Sequence, residues 1–310
     1  MEFDPVLVHE WLRRTARRAP GKEAILFGQE RWTYQRLDDD SDRVAEALIG
    51  LGIGCQDRVV ILLGNQPETV VSLYAVLKAG GVFLILDGNT RARRLKYVLE
   101  NSGATALICR ANQAGVVAEA IEGCRSDLRI IRVGERSAQC PSVSGVSWDS
   151  ILGPWGTGPG SHAICGRRPR SIDIDLAALI YTSGTTGDPK GVMCTHWNVI
   201  SAAKSIMQYL DSEEHDVILN VLPLSFSYGL YQVLVSCMFG GTVILERSFL
   251  YPHVVLRRIA EEKVTGFPLV PSMVAMLLRM ETIEQHDFST LRYITSAGAA
   301  LPVGHLTRLR

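Results

Sequence analysis

The sequence predicts an α/β fold with two packed sheets flanked by helices. Three observations carry that expectation. Short apolar runs alternate with amphipathic stretches along most of the chain, which is the mark of a parallel sheet covered by helices. Several runs are apolar at nearly every position, as Val59-Val60-Ile61-Leu62-Leu63 is, and only a strand buried on both faces needs that. Proline and glycine fall where elements should open and stop, as at Pro67 and Gly80-Gly81. A length of 310 residues allows two domains or one large α/β unit. The expected division is a first α/β subdomain over 1–170, with a Gly/Pro/Arg-rich linker at 153–170, and a second over 171–310. Each is expected to carry its own sheet.

The elements follow in order. Val44, Ala45, Leu48 and Ile49 lie at helical spacing within 41–49, and Gly50 and Gly52 stop that helix. A strand over 58–63 leads to a helix opened by Pro67 and closed by Gly80-Gly81. Strand 82–86, helix 92–101, strand 104–109, helix 111–121 and strand 128–133 follow. After the linker, alternation resumes with strand 177–181, a loop of small residues and helix 195–210. Strands at 217–222, 242–245, 265–270 and 291–295 then alternate with helices at 228–239, 252–263 and 272–280. Pro302 is placed to open one more helix, and no stop signal follows it before Arg310.

Composition narrows the function. The 32 Lys+Arg balance the 32 Asp+Glu, so no basic excess points to nucleic acid. The clusters Arg13-Arg14/Arg17-Arg18, Arg91/Arg93-Arg94/Lys96 and Arg167-Arg168/Arg170 are local and read as solvated faces. Seven cysteines without a C-x-x-C pair read as free buried thiols in a reducing compartment, and no metal site is written in the sequence. The uncharged stretch 217–245 is long enough to span a bilayer, but Asn220, Pro223 and Gly240-Gly241 break it. It reads as strand, buried helix and strand. The start carries no signal peptide, and the expected location is cytoplasmic.

One loop carries chemistry. Tyr181-Thr182-Ser183-Gly184-Thr185-Thr186-Gly187-Asp188-Pro189-Lys190-Gly191 follows an apolar strand directly. Glycines let backbone N–H groups approach an anion, Ser and Thr add hydroxyl donors, and Lys190 adds a cation. A polyphosphate needs those groups. The loop is not a Walker A sequence, because Pro189 stands where its Lys should be, and no G-x-G-x-x-G occurs. On residue types alone, a solvent turn remains an alternative.

Thr182-Ser183-Gly184-Thr185-Thr186-Gly187-x-Pro189-Lys190-Gly191 closely resembles the phosphate-loop signature of the adenylate-forming (AMP-dependent synthetase/ligase) superfamily, in its acyl-CoA ligase-like form. The resemblance covers nearly the whole chain. Trp32-Thr33-Tyr34, Asn65-Gln66-Pro67-Glu68 and Lys78-Ala79-Gly80-Gly81 look like the first half of that family's large N-terminal domain. Leu222-Pro223-Leu224-Ser225-Phe226-Ser227-Tyr228-Gly229 resembles its substrate-gate segment. Val270-Pro271-Ser272 resembles a pocket-lining turn, and Ser296-Ala297-Gly298-Ala299-Ala300-Leu301-Pro302 resembles the adenine-contacting turn.

The resemblance implies the following roles. Thr182, Ser183, Gly184, Thr185, Thr186, Gly187 and Lys190 hold the phosphates of ATP, with Thr186 and Lys190 beside the departing pyrophosphate. Gly298, Ala299 and Ala300 lie against the adenine and the acyl group. Phe226, Tyr228, Gly229 and Val270 line the acyl pocket; for Phe226, Tyr228 and Val270 plain core packing is the competing reading. His196 is expected at the surface, at a helix N-terminus. The implied reaction turns a carboxylic acid and ATP into acyl-AMP and pyrophosphate, then transfers the acyl group to the thiol of CoA or of a phosphopantetheine-bearing carrier protein. The nucleophile is the substrate's own carboxylate, so no Ser-His-Asp set is required.

Two departures from the family pattern matter. Ser227 stands where amino-acid-activating members carry an Asp, and a neutral hydroxyl cannot offset a buried ammonium. A fatty or aromatic acid is therefore expected. The segment whose Glu contacts Mg²⁺, the ribose-binding Asp and the mobile C-terminal domain with its Lys are not found before Arg310. The chain is thus expected to be the incomplete N-terminal part of such an enzyme, adenylating poorly by itself. The competing reading is a non-catalytic nucleotide-binding or interaction protein derived from such a ligase. A luciferase-like oxygenase has no residue in its favour.

Overall fold

The computed structural model describes residues 6–123, 127–134, 144–153, 171–182 and 189–309. Helix α1 (Val8–Arg18) opens the chain and is followed by the hairpin β1 (Glu23–Phe27) and β2 (Glu30–Thr33). The Thr33 side chain then caps α2 (Tyr34–Gly50) by accepting from the Arg36 N–H. Strand and helix alternate through β3 (Arg58–Leu62), α3 (Pro67–Lys78), β4 (Val82–Leu86), α4 (Ala92–Ser102), β5 (Ala106–Arg110), α5 (Ala114–Ile121) and β6 (Arg129–Val133). A short strand β7 (Val146–Ser147) and helix α6 (Trp148–Leu152) end the first half.

The second half opens with the hairpin β8 (Leu176–Thr182) and β9 (Lys190–Thr195), then α7 (His196–Leu210). Next come β10 (Val217–Asn220), α8 (Ser227–Phe239), β11 (Thr242–Leu245), α9 (Pro252–Glu261), β12 (Gly266–Leu269), α10 (Pro271–Leu277), β13 (Tyr293–Ser296) and α11 (Val303–Leu309). Helix α8 ends at Gly240, whose φ of +89° is the left-handed conformation that suits glycine. At 13 residues α8 is too short for a bilayer, and no described helix is long and apolar enough to cross one.

Two sheets form, as expected, but they do not divide at residue 170. The seven-stranded sheet runs β7-β6-β5-β3-β4-β8-β9, so the hairpin β8–β9 joins the strands of the first half. The six-stranded sheet runs β13-β12-β10-β11-β1-β2, so the first hairpin crosses to the strands of the second. The cause is pairing at the open edges: Ile25 pairs with Val243 in parallel, and Phe83 pairs with Ala178 in parallel. Each sheet thereby ends in one antiparallel strand, β2 or β9. The linker expected at 153–170 lies, apart from Gly153, outside the described residues.

The layers follow from side-chain alternation. In β3, Val59 and Ile61 join the central core with residues of α1, α2, α3, α7 and α8, while Val60 and Leu62 join an outer core with α4 and α5. In the second sheet, Val243 faces the central core, and Ile244 faces the outer core with α9 and α10. A shared helical layer is therefore packed between two sheets, each covered on its outer face.

That layer holds one buried ion cluster. Lys78 Nζ donates to the Asp38 and Ser41 side chains and lies 3.1 Å from Asp42 Oδ1. Arg13 reaches the same Asp42 at 2.9 Å, so α1, α2 and α3 are joined through charge as well as packing. Among the described cysteines, Cys109 and Cys237 are buried thiols, but Cys55 is exposed.

Candidate functional site

The six-stranded sheet has a crevice built into its connections. From β10 the chain turns through α8 to β11 on one side; from β12 it turns through α10 to β13 on the other. The two connections diverge at the carboxyl ends of adjacent parallel strands, which is where open α/β sheets bind ligands. The segments expected to line the acyl pocket leave from those ends, Pro223 to Gly229 after β10 and Val270 after β12, and the expected adenine-contacting turn with Gly298 leaves from β13.

Side chains close on this crevice from three elements. The Tyr228 ring, in the first turn of α8, lies edge-on to Phe226 with centroids 6.4 Å apart. The Tyr228 hydroxyl is 2.6 Å from Thr295 Oγ1 on β13. Burial raises the Tyr228 pKa, against the opposing pull of the Thr295 and Leu269 hydrogen bonds, so the phenol stays neutral at ordinary pH. Gly298 has φ +90°, and a Cβ there would lie 3.7 Å from Val270 Cγ1. The turn after β13 thus rests on the turn after β12. Ala297 N–H also donates to the Leu269 carbonyl.

Gly229 must be glycine for a steric reason. A Cβ there would stand 2.5 Å from the Pro223 carbonyl oxygen and 2.8 Å from that of Leu222. Helix α8 is pressed against the turn that precedes it, and Asn220 Nδ2 donates to the Gly229 carbonyl to hold it there. Gly229 is therefore a backbone contact more than a pocket wall.

Asn65 ties this turn to the other sheet. Its Nδ2 donates to the carbonyls of Leu222 and Glu246, and its Oδ1 accepts from the Leu224 N–H, each at 2.9 Å. One buried amide at the carboxyl end of β3 so fixes the carboxyl ends of β10 and β11. Asn65, Asn220 and Thr295 were not singled out as site residues in the sequence. For Asn65 the signal was present, a polar residue two positions after the apolar run Val59–Leu63.

The second group lies on the β8–β9 hairpin. Thr182 and Lys190 are opposite one another at the loop end of the hairpin, both exposed. Its base is anchored: Tyr181 Oη donates to Asn101 Oδ1 at 2.7 Å, and Tyr97 Oη donates to the Pro189 carbonyl at 3.1 Å, both on α4. Gly191 lies over the Tyr181 ring, where a Cβ would approach within 3.2 Å. Ser183, Gly184, Thr185, Thr186 and Gly187 lie outside the described residues. The structure thus brings Thr182 to Lys190, and Phe226 to Tyr228, and Val270 to Gly298; Ala299 and Ala300 follow Gly298 as exposed residues. Among the described residues no group of three or more His, Cys, Asp and Glu is arranged to hold a metal.

His196 is not at the surface. It is 1% exposed, and its Nδ1 accepts the Val8 N–H at 3.1 Å. Burial lowers its pKa to about 4, although Asp175 and Asp173 pull the other way. It joins α1 to α7 as an unprotonated acceptor and is not part of the crevice.

Comparison with known proteins agrees with the geometry. The profile of the family described as AMP-binding enzyme matches residues 12–310. Acyl-CoA ligase SID4 of Ajellomyces capsulatus is 28% identical over 292 residues, which is 90% of this chain and 48% of that protein. Tyrocidine synthase 3 of Brevibacillus parabrevis is 28% identical over 298 residues, which is 96% of this chain and 4% of that protein. Among solved structures, the anthranilate CoA ligase AuaEII in complex with anthranoyl-AMP superposes with a TM-score of 0.86 at 25% identity, covering 97% of this chain and 57% of that one. The chain therefore spans about half or less of these two curated relatives and little more than half of the solved structure. By its profile, its fold and these relatives, the chain belongs to the AMP-binding enzyme family of adenylate-forming ligases.

Proposed function

We propose that this chain provides the acid- and phosphate-binding half of an ATP-dependent acid–thiol ligase. The carboxylate of a fatty or aromatic acid attacks the α-phosphate of ATP. The P–O bond to pyrophosphate breaks, and acyl-AMP forms. A thiol of CoA or of a carrier protein then displaces AMP to give the thioester. The observation that carries this reading is the crevice itself. The residues along it, from Phe226 at the mouth to Ser227, Tyr228, Val270 and Gly298, offer aromatic, aliphatic and hydroxyl groups and no charge. Ser227 brings a hydroxyl to that set, and because a neutral hydroxyl does not offset a buried ammonium it supports an acid without an α-amino group.

Lys190 and Thr182 flank the loop 183–189, and the role assigned to them, with Ser183 to Gly187, is to hold the triphosphate. Charge grows on the pyrophosphate as its bond to Pα breaks, and donors fixed in advance stabilise it without reorganisation. Magnesium enters with ATP, and no described side chain is assigned to it.

The test separates the two parts of the site. Lys190→Ala should weaken ATP binding by about 10- to 100-fold, the worth of one charge-assisted hydrogen bond. It should leave binding of an acyl-sulfamoyladenosine, which has no β- or γ-phosphate, within about twofold. Isothermal titration of both ligands checks this. Binding of aminoacyl-sulfamoyladenosines in preference to those of fatty and aryl acids would overturn the substrate assignment.

A further inference from the structure

Tyr228 is fixed at both ends. At its root, Gly229 lies against the 222–223 backbone with no space for even one added carbon. The Asn220 amide holds the Gly229 carbonyl, so α8 cannot slide back from the crevice. At its tip, the hydroxyl is bonded to Thr295 across the carboxyl end of β12, with the Leu269 backbone as a second partner. The side chain therefore spans from the α8 side of the crevice to β13, over the strand between them.

Phe226 makes the contrast. It is 41% exposed, and a phenyl ring has no polar group with which to tether itself. It can turn aside at the mouth. Tyr228 cannot do so without breaking its hydroxyl contacts, leaving Thr295 and the phenol to find new partners in a half-buried place.

We infer that the Tyr228–Thr295 pair is a bar that ends the acyl pocket and restricts the substrate to a compact acid, a short chain or one small ring. Long-chain fatty acids are excluded. The inference rests on the acid-activation reading above and narrows it from fatty or aromatic acids to the small members of both. The physical argument is that a chain longer than the space in front of the ring must displace it. Pockets discriminate poorly against a missing methylene but strongly against a group that forces a packed wall to move.

Acyl-sulfamoyladenosines carrying acetyl, butanoyl, benzoyl and dodecanoyl groups test this by isothermal titration into the 310-residue chain and its variants. On the native chain the butanoyl and benzoyl compounds should bind at least about tenfold tighter than the dodecanoyl compound. Tyr228→Ala should remove that preference by strengthening dodecanoyl binding. Thr295→Val keeps the side-chain volume but frees the tip of the ring, and should narrow the preference part of the way. Circular dichroism and melting show whether each variant is folded; if Tyr228→Ala is not, Tyr228→Leu takes its place. Equal binding of dodecanoyl and butanoyl compounds by the native chain overturns the bar and leaves acid activation standing. Failure of every compound to bind the folded native chain overturns acid activation and the bar with it.

Discussion

The centres and the edges of the two sheets are covered unequally, and the edge strand β9 of the seven-stranded sheet is as open as β13 is in the other. In the seven-stranded sheet, β4 is buried at every position and β3 at every position but its first. In the six-stranded sheet, β11 and β12 are equally dry, but the edge strand β13 alternates between half-buried and exposed. An open groove of about 1070 Å³ runs beside β13, with Leu277, Phe288, Leu301 and Leu306 among its lining residues. The difference separates two jobs. The dry central strands of both sheets supply rigidity, while the crevice lies at the carboxyl ends of the six-stranded sheet, apart from the groove beside β13.

The largest expected effect tests that contrast directly. Phe83 is 1% exposed on β4, and Ile294 is 37% exposed on β13. Phe83→Ala should cost about 3–5 kcal/mol, from lost burial plus the cavity left behind. Ile294→Ala should cost less than about 1 kcal/mol, because much of its surface already meets water. Urea unfolding of the two variants measures both. Equal losses would show that β13 is as essential to the core as β4.

The same contrast explains what the sequence disclosed. Val59 to Leu63 read as a doubly buried strand because side chains of this chain press on both faces, and every position had to be apolar. The Phe226–Gly229 segment was singled out only through its resemblance to a family, and of the Gly/Thr/Ser loop only the flanking Thr182, Pro189 and Lys190 lie among the described residues. The first hairpin was not legible. Glu23 to Thr33 mixes charge and apolar residues over two short strands, and its partner β11 is more than 200 residues away. Helix α1 was not read as an element, although Val8, Trp11, Leu12, Thr15 and Ala16 lie at helical spacing; its arginines read as a solvated face, and Arg17 and Arg18 are exposed. Both misses concern pieces whose place is set by distant strands and helices, and single-chain periodicity carries no trace of a distant partner. The burial of His196 has the same origin, because Val8 is 188 residues away in sequence.

Asn65 is the point at which the two sheets are pinned together, so its loss should be felt in both. Asn65→Ala leaves the Leu222 and Glu246 carbonyls and the Leu224 N–H without this partner. The expected cost is about 3 kcal/mol, from buried polar groups left unpaired. A further consequence sharpens the comparison. The turn before α8 should loosen, and amide exchange should accelerate at 222–230 while β3 and β4 stay protected. Uniform acceleration through both sheets would mean that Asn65 supports the whole fold and has no particular bearing on the crevice.

The smallest effect lies at the second seam, between α1 and α7, and it is set by pH. His196 has a pKa lowered to about 4 from an ordinary 6.5, so the unfolded chain binds its proton more readily than the folded one. The stability it contributes is therefore whole above pH 6.5 and falls as pH drops toward 4, where the buried Nδ1 is forced to give up the Val8 N–H. By pH 5 the loss should be about 2 kcal/mol. His196→Gln removes the titrating group and should flatten the fall in stability between pH 7 and pH 5, whatever it costs at neutral pH. Because His196 anchors α1 and lies outside the crevice, the same acidification should leave the relative affinities for short and long acyl-sulfamoyladenosines unchanged. A shift in that preference on lowering the pH would tie the α1–α7 seam to the substrate pocket and end the separation of rigid frame from binding crevice.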